Sequence, residues 1–372
     1  MLLKGIKVLD LSNLLPGPMC SLFLADLGAE VIKVESLYGD PMRMLDSADN
    51  KSPYFKALNR NKKSITLNLK TYEGKKIFLK LAREADVIIE GFRPGKVNAL
   101  GVGYTFVKKV NPKIIYCSIT GYGQKGPYKN KAGHDLNYAS LAGLLDVISK
   151  KPLVPGIQIA DVGCALIAAF SIVACLYYRQ VSGKGNYIDV PVLGSSLALI
   201  GIHIAHRSDS KKTDTILSGA KACYSVYETK DHRFVSLGAV ETKFWTSFCN
   251  AAKRKDLIKR QFDGTGPFIK EMRRIFKNKT LKDWICLNDK YDFCCEPVKD
   301  IKEVLEDKHL QSRKSIIELD GLRQVALPFN FSCVKKLDYL RAPNLGEHTR
   351  HILKNIGYSK RQIDEFRRNK II

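Results

Sequence analysis

Short apolar segments alternate with amphipathic ones through the first half of the chain, and this alternation constrains the fold most. The strand-like segments are IKVLDLS, EVIKVES, KSITLNL, DVIIEGF, KIIYCSITGYG and NYIDVPV. Helix-like segments lie between them; one spans 71–85, with Thr71 as a candidate N-cap and Glu73 in its first turn. Such alternation predicts a parallel, doubly wound α/β sheet, which binds ligands at the carboxyl ends of its strands.

Composition changes after this half predict a second domain. The polar run SDSKKTDT at 208–215 is typical of a boundary, and the following hundred or so residues mix strand and helix patterns. We predict a large α/β domain over 1–207, a small α+β domain over 208–329 and a C-terminal segment over 330–372. The last segment reads as two short helices, broken at Gly357, without a core of their own.

An excess of basic residues indicates an anionic partner. The chain has 61 Lys and Arg against 37 Asp and Glu, a formal charge of +24. These residues are spread along the chain without a nucleic-acid-binding signature, which favours a lysine-rich surface or a small polyphosphate ligand over nucleic acid.

The cysteines and the apolar segments indicate a cytoplasmic protein. Ten cysteines without a C-x-x-C pair fit a reducing compartment, and the N-terminus lacks a secretion signal. The most apolar stretch, Val162–Tyr178, follows an aspartate and is short for a membrane span. We therefore predict a buried helix there and no membrane association.

A G-x-G-x-x-G string at 121–126 follows the fifth strand-like segment. A dinucleotide loop needs a helix that begins within its glycines, but Pro127 and a charged loop come next. This favours a turn in which the glycines let another group approach closely.

His134 and Asp161 are the candidate catalytic residues. Each stands near the start of a helical pattern, after a turn-rich loop of the α/β domain. A helix N-terminus favours the ionised form of an aspartate, which is also what a helix cap requires, and the neutral form of a histidine, which suits a base. The alternatives are a capping role for Asp161 and a structural role for His134.

Several motifs in order along the chain carry a resemblance. They are LLPGPMCSLFLADLGAEVIKVE, NRNKKSITLNLK, IEGFRPG, GHDLNY, PGIQIADVG, IDVPVLGS, SLGAVETKFW and GEHTRHILKNIGYS. Together they resemble the family III CoA-transferase and α-methylacyl-CoA racemase superfamily. The resemblance implies an intertwined homodimer, a Rossmann-like large domain, a smaller domain and a C-terminus that returns to the large domain.

The resemblance leaves two chemistries open at Asp161. In the transferases this aspartate attacks the acyl-CoA thioester and passes through an anhydride and an aspartyl-CoA thioester. In the racemases it is one of two bases that exchange the proton beside the thioester carbonyl. His134 as the second base, supported by Glu241, matches the racemase branch, so we favour a 2-methylacyl-CoA racemase over a transferase.

The resemblance also implies a CoA site but no metal and no separate cofactor, since CoA is part of the substrate. It assigns CoA contacts to Arg60, Lys62, Lys63, Arg93 and Tyr138. We expect the Asp161 N–H to hold the thioester oxygen. Cys164 and Ala165 stand where racemases commonly have glycines, which leaves the acyl group undetermined.

Overall fold

A computed structural model describes residues 1–47, 52–149, 151–210, 215–334 and 337–372. The first six strands are β1 (Lys7–Asp10), β2 (Glu30–Glu35), β3 (Lys62–Thr66), β4 (Val87–Glu90), β5 (Ile115–Thr120) and β6 (Asn186–Pro191). They form one sheet in the order β3-β2-β1-β4-β5-β6, in which every neighbouring pair is parallel. The predicted α/β fold with a doubly wound parallel sheet is confirmed.

Helices connect these strands. They are α1 (Pro16–Asp26), α2 (Pro53–Asn59), α3 (Tyr72–Glu84), α4 (Lys96–Ala99), α5 (Tyr104–Val110), α6 (Asp135–Leu141), α7 (Leu144–Ile148), α8 (Ile159–Ser182) and α9 (Val192–Leu199), with a 3-10 turn at Pro41–Met44. Every residue of β4 and β5 is buried, as expected for parallel strands covered on both faces. Strand order reverses between β1 and β4, and this is where such folds open a crevice for a ligand.

Local signals set the helix ends. Thr71 caps α3 as predicted, because its Oγ1 accepts a hydrogen bond from the Gly74 N–H at 3.0 Å. The helical pattern after His134 divides into α6 and α7 at Gly143, whose φ of 82° only glycine adopts readily.

Helix α8 differs from the prediction in length and burial. It has 24 residues and is long and apolar enough to cross a membrane, and only 33% of its most apolar window is buried. This apolar helix is therefore not short for a membrane span, contrary to the prediction. One side of α8 packs on the sheet through Cys164, Ala168 and Ile172, while the other is exposed.

By contacts the chain divides into unit 1, Met1–Ile200 with Lys314–Ile372, and unit 2, Gly201–Arg313. Unit 2 contains α10 (Gly201–Asp209), β7 (Tyr224–Glu228), β8 (Phe234–Gly238), α11 (Thr242–Ala251), α12 (Gly266–Lys277), α13 (Leu281–Tyr291), β9 (Cys295–Pro297), α14 (Ile301–Leu305) and α15 (Lys308–Ser312), with 3-10 turns at Ile216–Ser218 and Lys255–Arg260. Its antiparallel sheet, β7-β8-β9, packs on a core that includes Trp245, Phe248 and Trp284. The predicted domain boundaries, at 207 and 329, lie later in the chain than the ends of these units, and residues 211–214 of the predicted polar boundary lie outside the described residues.

The C-terminal segment contributes to the core of unit 1. Unit 1 resumes at Lys314 with the hairpin strands β10 (Ile316–Leu319) and β11 (Leu322–Val325), and the C-terminal segment then adds α16 (Thr349–Asn355) and α17 (Lys360–Arg368). Leu353 and Ile363 pack in one cluster with Ile77 and Phe78 of α3. The Asn68 N–H also donates to the Ile371 carbonyl at 2.7 Å. These contacts explain why the last two helices lack a core of their own.

Candidate active site

A cavity of about 300 Å³ lies at the carboxyl ends of the strands, beside the reversal in strand order. Its lining follows β1 at Ser12, β4 at Gly91–Pro94 and β5 at Thr120–Tyr122, and includes the loop 129–134, Tyr138 and Asp161. The cavity is thus where this sheet topology places a ligand site. Four of the predicted site residues line it: Arg93, His134, Tyr138 and Asp161.

Gly121, the first glycine after β5, makes room for an aromatic ring. A Cβ on Gly121 would lie 2.4 Å from the Tyr138 hydroxyl and 2.6 Å from its ring, so no larger residue fits there. The Tyr138 hydroxyl donates to the Gly133 carbonyl at 2.7 Å, and its ring packs edge-on against Tyr122. Among the described residues no helix begins between Gly121 and His134, which bears against a dinucleotide loop. Tyr138 is the group whose close approach Gly121 permits.

His134 is the N-cap residue of α6 and is exposed. Its backbone N–H donates to the Asn137 side chain at 3.0 Å, and its carbonyl accepts from the Asn137 N–H at 2.8 Å. Asn137, on the third helical position, therefore fixes the backbone that presents the imidazole to the cavity. The N-cap position follows from the sequence pattern, but the contribution of Asn137 was missed.

Asp135 joins the two catalytic candidates, a role that the sequence did not reveal. One oxygen of its carboxylate accepts hydrogen bonds from the Ala160 N–H at 2.8 Å and the Asp161 N–H at 2.9 Å. It thus satisfies free backbone donors at the start of α8, where Gln158 provides no side-chain cap. Because Asp135 immediately follows His134, this contact places the histidine and Asp161 at the same cavity.

This contact corrects one expectation about the thioester oxygen. The Asp161 N–H was expected to hold that oxygen, but it already donates to Asp135. The donor was assigned from its place at a helix start, and an acid distant in sequence occupies it.

Asp161 has an unusual acidity for an aspartate. Burial, with a further contribution from the Asp135 charge, raises the pKa of Asp161 to about 7. The helix N-terminus was expected to favour its ionised form, but burial and the second carboxylate outweigh that effect. Near neutral pH the side chain therefore exists in both protonation states, as a group that takes and returns a proton requires.

Arg93 lies on the turn after β4 and is exposed to the cavity. It makes no ion pair within the described ranges, so its charge is available to an anion. Lys129 and Lys131 line the same cavity, and the Lys131 ammonium lies 3.9 Å from the centroid of the Tyr128 ring. These two lysines were not singled out from the sequence, although the basic run at 125–131 was a usable signal.

The structure gives Arg60 and Lys62 a structural role, which corrects their assignment as side-chain contacts of CoA. Arg60 is 4% exposed, and its Nη2 pairs with Asp26 at 2.6 Å. Lys62 is buried against Asp10 at 3.4 Å and donates to the Pro18 carbonyl at 2.8 Å. Lys62 is the first residue of β3 and Arg60 follows α2, and both side chains are buried among polar partners of the interior, which a basic run in a sequence does not show.

The remaining two predicted residues stay untested. Lys63 forms a half-exposed ion pair with Glu30 and does not line the cavity. Glu241 is the exposed N-cap residue of α11, in unit 2. Its supporting role beside His134 remains a prediction.

The similarity to known proteins extends over nearly the whole chain. Residues 3–349 match the family model described as CoA-transferase family III. The chain is 32% identical over 388 residues to human succinyl-CoA:glutarate CoA-transferase, covering 98% of this chain and 88% of that protein. It is 31% identical over 387 residues to human α-methylacyl-CoA racemase, covering 100% of this chain and 98% of that protein.

A solved structure agrees with these matches. A CAIB/BAIF family protein from Brucella suis has a TM-score of 0.84 and 28% identity, covering 95% of this chain and 99% of that one. Transferases and a racemase are thus similar to this chain at almost equal identity.

Proposed function

The chain belongs to CoA-transferase family III, whose members similar to it are enzymes of acyl-CoA chemistry, and on that premise we propose that it racemises 2-methylacyl-CoA thioesters. The observation that carries the proposal is that His134 and Asp161 line one cavity and are linked by Asp135. Inversion of a carbon centre needs one group that removes a proton and another that delivers one to the opposite face. A transferase needs only the aspartate.

The two groups divide the work as follows. In one direction His134 takes the proton beside the thioester carbonyl, and protonated Asp161 delivers one to the other face. In the reverse direction ionised Asp161 takes the proton, and protonated His134 delivers another one to the opposite face. A pKa of Asp161 of about 7 supports both directions, because neither protonation state is rare at neutral pH.

The cations at the cavity support CoA as the carrier of the acyl group. CoA bears a pyrophosphate and a ribose phosphate, and arginine and lysine are the side chains that bind phosphates. Arg93, Lys129 and Lys131 supply three positive charges to the lining. We assign the phosphate contacts to these residues; Tyr138 lines the same cavity.

An isotope experiment tests the activity. One enantiomer of a 2-methylacyl-CoA, incubated in D₂O without an acceptor acid, should lose optical purity and take up deuterium beside the carbonyl. His134→Ala should abolish both, whereas the matched control His351→Ala, an exposed histidine of α16, should retain both. Absence of deuterium uptake with intact substrate binding would contradict the proposal.

Transfer of CoA is the second candidate, supported by the equally strong similarity to transferases. Here the Asp161 carboxylate would attack the thioester and release CoA as a thiolate, giving a mixed anhydride. Exchange that strictly requires a second acid, without deuterium uptake, would identify this activity. Hydroxylamine would then modify Asp161 during turnover, which a racemase does not allow.

We also propose that the protein is a homodimer. Exposed apolar residues follow one another along α8 at helical spacing: Leu166, Phe170, Val173, Tyr177 and Val181. Phe170 and Val173 border an apolar groove of about 710 Å³ that continues to Phe329. A surface of this kind marks an interaction site, and a second copy is the occupant expected from the resemblance to intertwined dimers; a membrane surface is the alternative outcome.

The proposed location is the cytoplasm. All ten cysteines are free thiols in the structure, and six of them are buried. Such thiols persist where the surroundings are reducing.

A further inference from the structure

Glu90 is a buried carboxyl group beneath the cavity, and it has no role in the proposed reaction. It is the last residue of β4 and is 1% exposed. Its Oε2 accepts a hydrogen bond from the Phe92 N–H at 2.8 Å. That bond closes the turn Gly91–Phe92–Arg93, whose residues line the cavity. The carboxyl therefore holds the backbone from which Arg93 reaches an anion.

The other carboxyl oxygen of Glu90 has no hydrogen-bond partner within the described residues. The same is true of the Thr120 hydroxyl, which is 5% exposed, ends the neighbouring strand β5 and lines the cavity. Buried polar atoms without a partner are rare, because each loses its hydration. Two of them on adjacent strand ends below the cavity indicate a function that the bare fold does not require.

Within the part of the chain that the structure describes, no cation offsets the charge of Glu90. The groups that face it are Asp189 and Tyr187 of β6 and Tyr116 and Ser118 of β5. On the other side, Asp10 of β1 pairs with its own buried lysines. Burial raises the pKa of Glu90 to about 7, although the Ser118 hydroxyl and the Phe92 N–H favour the ionised form.

We propose that Glu90 is a positioning residue for the CoA-binding turn and that it takes up a proton when the anionic ligand binds. The inference rests on the proposed CoA site. An ionised Glu90 lies beneath a cavity that receives phosphates, so ligand and carboxylate repel each other. By linkage, a ligand that favours protonated Glu90 binds less tightly as the pH rises through about 7.

Binding of free CoA tests this inference without relying on turnover. Asp161 also titrates near neutral pH, so the parent protein for these measurements carries Asp161→Asn. Calorimetry in two buffers of different ionisation enthalpy, near pH 8, gives the number of protons taken up with CoA. Glu90→Gln in this background should reduce the uptake by up to one proton, and its affinity should fall less steeply between about pH 6 and 8.

A second substitution tests the positioning role. Glu90→Ala leaves the Phe92 N–H without an acceptor and should weaken CoA binding roughly tenfold, both at about pH 6 and at about pH 8. Glu90→Gln retains an acceptor of the same shape and should restore the affinity at the lower pH. Glu73→Gln, a carboxyl of the first turn of α3 that does not line the cavity, is the matched control and should bind CoA like the parent.

The outcomes separate this inference from the proposed function. If the parent does not bind CoA at all, the proposed function fails. If the parent binds CoA but Glu90→Gln keeps the same proton uptake and pH dependence, the inference is overturned. It is equally overturned if folded Glu90→Ala binds CoA as tightly as the parent; should that variant not fold, the Gln variant decides alone.

Discussion

Asp161 should destabilise the protein at neutral and alkaline pH, because its ionised form is buried. The pKa is raised to about 7 from the usual aspartate value of 3.8. At about 1.4 kcal/mol per pKa unit, this difference corresponds to roughly 4 kcal/mol of unfolding free energy. A group whose pKa is raised in the folded state contributes stability at low pH, and this contribution is lost as the pH rises from 4 through 7.

Replacing Asp161 with Asn removes this titration while keeping the shape of the side chain. Relative to the natural protein, Asp161→Asn should gain about 2 kcal/mol between about pH 5.5 and 8.5, since only part of the shift titrates in that range. Other buried acids, Glu90 included, titrate in both proteins and cancel in the comparison. The variant should also lose the catalytic activity, so stability and function oppose each other at this residue.

Thermal unfolding measured across this pH range tests the prediction. The melting temperature of Asp161→Asn should exceed that of the natural protein by an amount that widens with pH, by roughly 3 °C in total. The comparison is made without CoA, which would stabilise either protein by binding. A difference that does not change with pH, or a variant that is less stable at the highest pH, would refute the assignment of a raised pKa to Asp161.

Two further predictions concern the buried cation and the apolar face. Arg60→Ala should lower the unfolding free energy measured in urea by about 3 kcal/mol or more, because it leaves a buried carboxylate unpaired. The control Lys63→Ala removes one partner of a half-exposed ion pair and should change the unfolding free energy by less than about 1 kcal/mol. If Arg60→Ala instead keeps its stability and binds CoA more weakly, Arg60 is a phosphate contact. Phe170→Asp should give monomers in light scattering. The control Tyr72→Asp, at an aromatic residue of similar exposure on α3, should leave a dimer. If both variants are dimers, the interface lies elsewhere.

The residues that line the cavity were largely predictable. Arg93, His134 and Asp161 each follow a strand or loop that the alternating pattern places at the carboxyl edge of a parallel sheet. The loops that follow parallel strands all lie at that edge, whatever their side chains are. Position along the pattern was therefore sufficient to find these residues.

The residues that tune the site were not predictable. Asp135 reaches the start of α8 across a separation of 25 residues, and nothing local in the sequence pairs an acid with that helix. Lys62 and Arg93 are both cations beside a strand of one sheet, yet one is buried and the other faces the cavity. A charged residue in a sequence does not indicate the direction in which its side chain points.

The sequence by itself determined the parallel sheet, the edge of the sheet at which ligands bind and the residue types available for the chemistry. Local apolar periodicity carries that information, because strands and helices form where their buried faces repeat. Tertiary structure alone decided which carboxyl groups are buried, and hence that Asp161 and Glu90 titrate near neutral pH. Acidity depends on the loss of water and on charges brought together by packing, and both arise only when distant segments meet.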